Sequence, residues 1–404
     1  MSRTICLYLH VHQPYRLRPF SVFDAGTHTD YWLDPANNAN NEQIIHKVAQ
    51  KSYRPTNTLL LELLERHPEF HFSLSITGTL LEQLEAWAPD VLESFKKLAA
   101  TGRVEFLAET YYHSLAFFYA PQEFERQVAL HTKKIQELFG QTPKVFRNTE
   151  LAYNNDLAAW AEKAGYTGII TEGWEPILGW RSPNFVYRPV HTQAMSVLLK
   201  NYKLSDDIAF RFSDRTWAEW PLTAEKYAHW LNALPADESL VNLFMDYETF
   251  GEHQWDDHGI FDFLRHLPDE VLRQRSNSFA TLSHAIAANK PVGTIDAPDV
   301  ITWADTERDL TAWTGNAMQR DALQQVYELE KAILATNDPH LTEDWRRLQT
   351  SDHFYYMCTK WFNDGDVHAY FSPYQSPYDA FIYFCNALRD LRLRLQEHNG
   401  SSAQ

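Results

Sequence analysis

Cysteine is scarce in this chain, with Cys6, Cys358 and Cys385 the three representatives among 404 residues and no two of them close together. So odd and scattered a set excludes both a disulfide framework and a Cys-based structural zinc motif, and it implies a reducing compartment. Long apolar runs are missing as well. The opening stretch MSRTICLYLHVHQP holds one arginine and an apolar run from Thr4 to Leu9 that His10 ends, too short for a signal peptide's apolar region or a membrane span. Basic runs are absent too: 36 Lys and Arg stand against 53 Asp and Glu, a formal net charge of −17 that opposes a polyanionic partner. These absences point to a cytoplasmic protein with neither nucleic acid nor membrane as partner, and a neutral substrate suits the charge. No internal repeat, low-complexity tract or linker is visible.

What is present is the material of a substantial core. Hydrophobic residues make up 44% of the chain and charged residues 22%, close to the averages of globular proteins. At 404 residues the chain exceeds the roughly 250–300 at which one compact core stops growing, so a large domain with an appended element is expected. Short apolar runs recur at Thr4–Leu9, Phe70–Ile76, Val104–Leu107, Lys144–Phe146, Gly168–Thr171, Ser196–Leu199 and Leu240–Met245, with stretches of helical spacing such as TNTLLLELLERHP between them. That alternation predicts repeated βα units closing a parallel sheet or barrel. Beyond about Pro298 the pattern turns to helical segments alone, Asn316–Thr336, Thr342–Asn363 and Pro377–Glu397. The predicted organisation is a catalytic barrel over 1–300 and a helical unit packed on it over 301–404. Thr27–Asn41, rich in Asn and Asp, reads as a long first loop.

In barrels and open α/β sheets the reactive groups gather at the carboxyl ends of the strands. Four strands here end in acids or imidazoles: His10 and His12 in LHVHQP, Glu109 and His113 in FLAETYYH, Glu150 in FRNTE, and Asp246, Glu248 and His253 in FMDYETFGEH. A lone strand-end carboxylate is usually a helix cap or an ion-pair member, but several on one rim shift one another's pKa values, as a working site requires.

These residues resemble glycoside hydrolase family 57, whose members include retaining amylases, glucanotransferases and branching enzymes on a (β/α)7 barrel followed by helices. The family's HQP motif is similar to His12-Gln13-Pro14, its nucleophile motif to Arg147-Asn148-Thr149-Glu150-Leu151, and its acid/base motif to Met245 through His253. FLAET around Glu109 and the stretch Ile301 to Asn316 resemble two further motifs, and Lys360 to Phe381 resembles the C-terminal region of the family's shorter α-amylase-like group. The resemblance implies a distorted α/β barrel of seven βα units and retaining hydrolysis of α-1,4-glucans, with Glu150 as nucleophile and Asp246 as acid/base. It assigns substrate contacts to His10, His12, Gln13, Glu109, Arg147, Trp255, Trp303, Asp305 and Trp313, and it implies no metal and no cofactor.

The chemistry requires split pKa values. Glu150 is expected ionised, beside donors such as His10, His12 or Arg147, and Asp246 raised by burial and that ionised neighbour. Glu248, two residues further toward the loop, is expected in more solvent with an ordinary pKa. Other readings remain open: transfer to a sugar hydroxyl by a 4-α-glucanotransferase or branching enzyme, a glucan-binding protein without turnover, or a metal-dependent deacetylase with zinc on His10 and His12. Against zinc stands the lack of an evident third ligand spaced with that pair.

Overall fold

The computed structural model describes residues 3–27, 30–34, 40–360 and 367–401. Seven parallel strands form its centre: β1 (Arg3–Val11), β2 (Phe72–Ile76), β3 (Val104–Phe106), β4 (Val145–Phe146), β5 (Gly168–Glu172), β6 (Ser196–Lys200) and β7 (Leu240–Asp246). Each falls on one of the seven apolar runs. One ladder runs β3, β2, β1, β7 and the other β4, β5, β6. The seams are thin but closed: Ala108 bridges Phe146 between β3 and β4, and Asn201 N donates to Asn242 O at 2.9 Å between β6 and β7. The result is a distorted (β/α)7 barrel. Short strands at Val186–Pro189, Asn277–Phe279 and Thr294–Ile295 lie outside this ring.

The period of two along β1 decides what reaches the site. Ile5, Leu7, Leu9 and Val11 pack outward among helix residues such as Leu60, Leu63 and Leu264. Cys6 and Tyr8 face inward with Leu107, Val145, Ile170, Leu198 and Phe244, and Tyr8 Oη lies 2.6 Å from Ser75 Oγ. His10 is the next inward position and His12 the one after, so the barrel's own alternation lifts both imidazoles to the rim. At the end of β2, Thr77 caps the helix Gly78–Trp87 by accepting from Leu80 N, and the same hydroxyl lies 2.9 Å from His12 Nδ1.

The expected C-terminal helices are present but interrupted. Asn316–Thr336 forms two, Ala317–Glu328 and Glu330–Thr336; Pro377–Ser401 is continuous. The expected helix Thr342–Asn363 divides into Pro339–Arg347 and Ser351–Tyr355, and its last three positions lie outside the described residues. The cause of the break is tertiary. Thr350 pairs with Ser114, and Ser351 N donates to His113 O at 2.9 Å, so contact with the loop after β3 outweighs the local helical pattern. Trp313, Leu323, Val326 and Trp345 share one hydrophobic cluster with Ala108, Phe146, Ile169 and Val197 of the barrel.

Candidate active site

A cleft of about 1460 Å³ opens at the carboxyl ends of the strands. His10, His12, Gln13, Glu150, Asp246, Trp255, Trp303 and Asp305 line it, together with His113, Glu248 and Asp352. Glu109 and Arg147 are fully buried beneath it. Trp313 is a correction to the sequence reading: it is 1% exposed, packs on Tyr355 within the hydrophobic cluster and offers no face to a sugar.

Glu150 is held from both oxygens. His113 Nε2 donates to Oε1 at 2.9 Å, Ser351 Oγ reaches the same oxygen at 3.4 Å, and Trp303 Nε1 donates to Oε2 at 2.8 Å. Burial raises the pKa, but His113 and Arg147 outweigh it and hold the carboxyl below its ordinary value, so Glu150 is ionised as expected. Of the expected groups Arg147 contributes through its charge, while the hydrogen bonds come from His113, Trp303 and Ser351 rather than His10 or His12. His113, pushed up to about 9 against burial by Glu109 and Glu150, is the imidazolium that does this work. Trp303 is itself fixed between two cations, Arg147 at 5.2 Å and Lys200 at 5.4 Å from its ring centre.

The backbone here adopts the left-handed region at non-glycine residues: φ is 57° at Glu150, 52° at Leu151 and 52° at His113, and 54° at both Asp305 and Arg308, which also line the cleft. Each such residue costs on the order of 1–3 kcal/mol and persists only where its surroundings over-determine it.

Under the floor, His10 Nε2 donates to Glu109 Oε2 at 3.2 Å, and Arg147 lies 3.4 Å from His10 Nδ1 and 3.7 Å from Glu109. Glu109 and Arg147 thus set the imidazoles rather than touch a substrate. His10 Nδ1 also lies 3.7 Å from Asp246 Oδ1, and the His10 and His113 rings stack at 5.0 Å, so adjacent imidazoles attend the two carboxylates.

The expected pKa pattern of Asp246 and Glu248 is reversed. Asp246, its side chain 39% exposed to the cleft, sits below its ordinary value because His10 outweighs burial. Glu248 is not in solvent. The strand ends at Asp246 and a tight helical turn, Tyr247–Thr249, folds Glu248 inward, where it is 4% exposed and its Oε1 accepts from Tyr53 Oη at 2.5 Å and His12 N at 3.3 Å. Burial and the charge of Asp246 push it up to about 8. The glycine of the same motif is structurally required, since Gly251 has φ 104° and a Cβ there would come within 2.0 Å of Lys51 O.

His12 also has a partner that its sequence surroundings do not reveal. Its Nε2 donates to Asp352 Oδ2 at 2.9 Å, a residue of the helix Ser351–Tyr355. Burial and the charge of His113 bring His12 down to about 4, leaving it neutral. His10 and His12 share no ligand group among the described residues; each stands with other partners instead. Among the described residues, His10, Glu109 and His113 form one group with ligand atoms within 4.8 Å of one another, and His12, His113 and Asp352 form another.

Gln13 Oε1 accepts from Arg16 Nη2 at 2.8 Å, and Trp255, half exposed, stacks on His258 at the rim. Asp305 lines the cleft but is already bonded: His368 Nε2 donates to it at 3.1 Å and Lys360 Nζ lies 3.3 Å away. Burial lowers His368, yet Asp305 and Cys358 carry it up to about 9. Since that value exceeds the ordinary 6.5, the pair's stabilisation is complete below about pH 6.5 and fades as pH rises through about 9. Thermal melts from pH 6 to 10 should show wild type losing about 1.5–3 kcal/mol that His368→Gln has already lost, with a flatter profile for the variant. Equal slopes for the two proteins would contradict it.

The family model described as "Glycosyl hydrolase family 57" matches residues 6–298. A protein of Methanocaldococcus jannaschii named "Putative alpha-amylase" is 42% identical over 97% of this chain and 85% of its own length. An alpha-amylase of Pyrococcus abyssi is 22% identical over 63% of the chain, which spans 38% of that relative. Among solved structures, a branching enzyme of Thermococcus kodakaraensis aligns with a TM-score of 0.67 at 15% identity, covering 92% of this chain and 88% of that one. The alpha-amylase AmyC of Thermotoga maritima aligns at 0.65 and 14%, covering 100% and 94%. The strand-end carboxylates, the barrel that carries them and the family match agree, and the chain belongs to glycoside hydrolase family 57.

Proposed function

We propose that the protein is a retaining glycosidase that hydrolyses α-1,4-glucans such as starch, glycogen or maltooligosaccharides, with Glu150 as nucleophile and Asp246 as general acid/base. The observation that carries this reading is an ionised Glu150 on the cleft wall with donors on both oxygens and a second carboxyl, Asp246, opening into the same cleft. In the first step Glu150 attacks the anomeric carbon while Asp246 protonates the departing oxygen; in the second, Asp246 takes a proton from the water that cleaves the glycosyl ester. This requires the two carboxyls to work about 5–5.5 Å apart across the sugar. In the free protein Asp246 is ionised, but a sugar filling the cleft removes its water and raises its pKa toward the donor form.

Two further features support a glucan. His10, His12 and Gln13 offer polar groups along one wall, and Trp255 and Trp303 present aromatic surface. A second reading, Glu248 as proton donor, draws on its pKa of about 8. The barrel carries the reaction and the segment beyond residue 300 completes it with Trp303, Ser351 and Asp352. Among the described residues no helix is long and apolar enough to cross a membrane. Digestion of maltoheptaose separates hydrolysis from transfer. Products of six glucose units and fewer alone support hydrolysis, whereas ladders extending above the input length assign the protein to the glucanotransferase or branching activities.

A further inference from the structure

The group formed by His12, His113 and Asp352 has the composition of a transition-metal site. Two imidazoles and one carboxylate are a common protein set around catalytic zinc, with the fourth position left open. Their ligand atoms lie within 4.8 Å of one another. Ligands of a tetrahedral zinc stand about 3.3–3.5 Å apart, given Zn–N and Zn–O bonds of about 2.0–2.2 Å. His12 Nε2 and Asp352 Oδ2, 2.9 Å apart in a hydrogen bond, open only slightly when an ion replaces the shared proton, and the His12 and His113 rings are centred 4.0 Å apart. All three residues line the cleft, which gives an ion a path in. Thr77 holds the far nitrogen of His12 at 2.9 Å, the outer contact that fixes a ligating imidazole.

The neighbouring group, His10, Glu109 and His113, is a poorer host. Arg147 stands 3.7 Å from Glu109 and 3.4 Å from His10 with no exposure to solvent, and a second cation there would meet that charge unscreened.

We propose that His12, His113 and Asp352 form a zinc-binding site in the cleft whose occupation blocks turnover. An ion on His113 Nε2 displaces to solvent the proton that this nitrogen donates to Glu150 Oε1, 2.9 Å away, and takes a lone pair that the carboxylate needs for attack. Zinc is then an inhibitor, not a cofactor. The blocking rests on the nucleophile role given to Glu150; the binding does not.

Binding is therefore measured first and without substrate. Calorimetric titration of the full chain with zinc chloride after exhaustive chelation should show one site. Asp352→Ala and His12→Ala, each checked for a wild-type circular dichroism spectrum and melt, should weaken it by more than about tenfold, the range in which even a ligand's outer partners count. Anomalous scattering from zinc-soaked wild-type crystals gives a readout that no variant's misfolding can spoil, and it should place the ion between the three side chains. No binding up to millimolar zinc, unchanged affinity in both variants, or a peak elsewhere overturns the site. The chelated enzyme should be fully active and lose activity as zinc is added. Zinc bound at the site without inhibition would leave the site standing and count against Glu150 as nucleophile.

Discussion

Glu150→Gln lowers kcat on maltooligosaccharides by at least about 10³-fold, because the amide cannot form the glycosyl ester. The substitution keeps shape but changes hydrogen bonding. His113 and Trp303 donate to different oxygens of Glu150, so one of them must face the new NH2 group. A buried donor left without an acceptor costs about 1–3 kcal/mol, so the variant should melt somewhat lower and still fold. Steady-state kinetics with a melt on the same sample reads both effects. Activity within tenfold of wild type in a folded variant would remove Glu150 from the nucleophile role.

Asp246→Asn and Glu248→Gln separate the two candidate proton donors. A general acid matters most when the leaving group is poor, so its loss slows natural glucans by about 10²–10⁴-fold and activated aryl glycosides much less. It also removes the fall in rate on the alkaline side of the pH profile, where the acid would lose its proton. Asp246→Asn should show both signs. Glu248→Gln should behave differently: Glu248 sits against Tyr53 and the His12 backbone, so its amide should disturb the HQP loop and weaken substrate binding, raising KM more than it lowers kcat. Leaving-group dependence in Glu248→Gln, with Asp246→Asn insensitive to it, would transfer the acid role to the residue whose pKa already lies near 8.

The seven strands were legible because each is an apolar run bounded by polar residues, and β1 shows why the rim was legible too: Cys6, Tyr8, His10 and His12 follow one another at the strand's period of two. Glu248 was misread by extending that period one step too far, past Asp246 into a helical turn that carries the side chain inward. His113 was visible four residues after Glu109, but nothing local announces that its backbone turns left-handed and aims the ring at Glu150. Trp313 shows the opposite failure, since an aromatic in a recognisable motif was read as a sugar platform when its surroundings make it core. Asp352 carried no signal. Its meaning comes from a partner 340 positions earlier and from a helix break set by tertiary contact, neither of which local propensity encodes.

That break has a consequence for how the protein comes into being. Ser351 meets Glu150 across 201 positions of chain and Asp352 meets His12 across 340, against 236 between His12 and Glu248, so the Asp352 contact carries the largest loop-closure entropy of these. We expect the Ser351 and Asp352 contacts to form after the intervening strands and helices have assembled. During refolding from denaturant, ellipticity should therefore return ahead of catalysis, and the interval between them measures the time the last helices take to find the barrel's mouth.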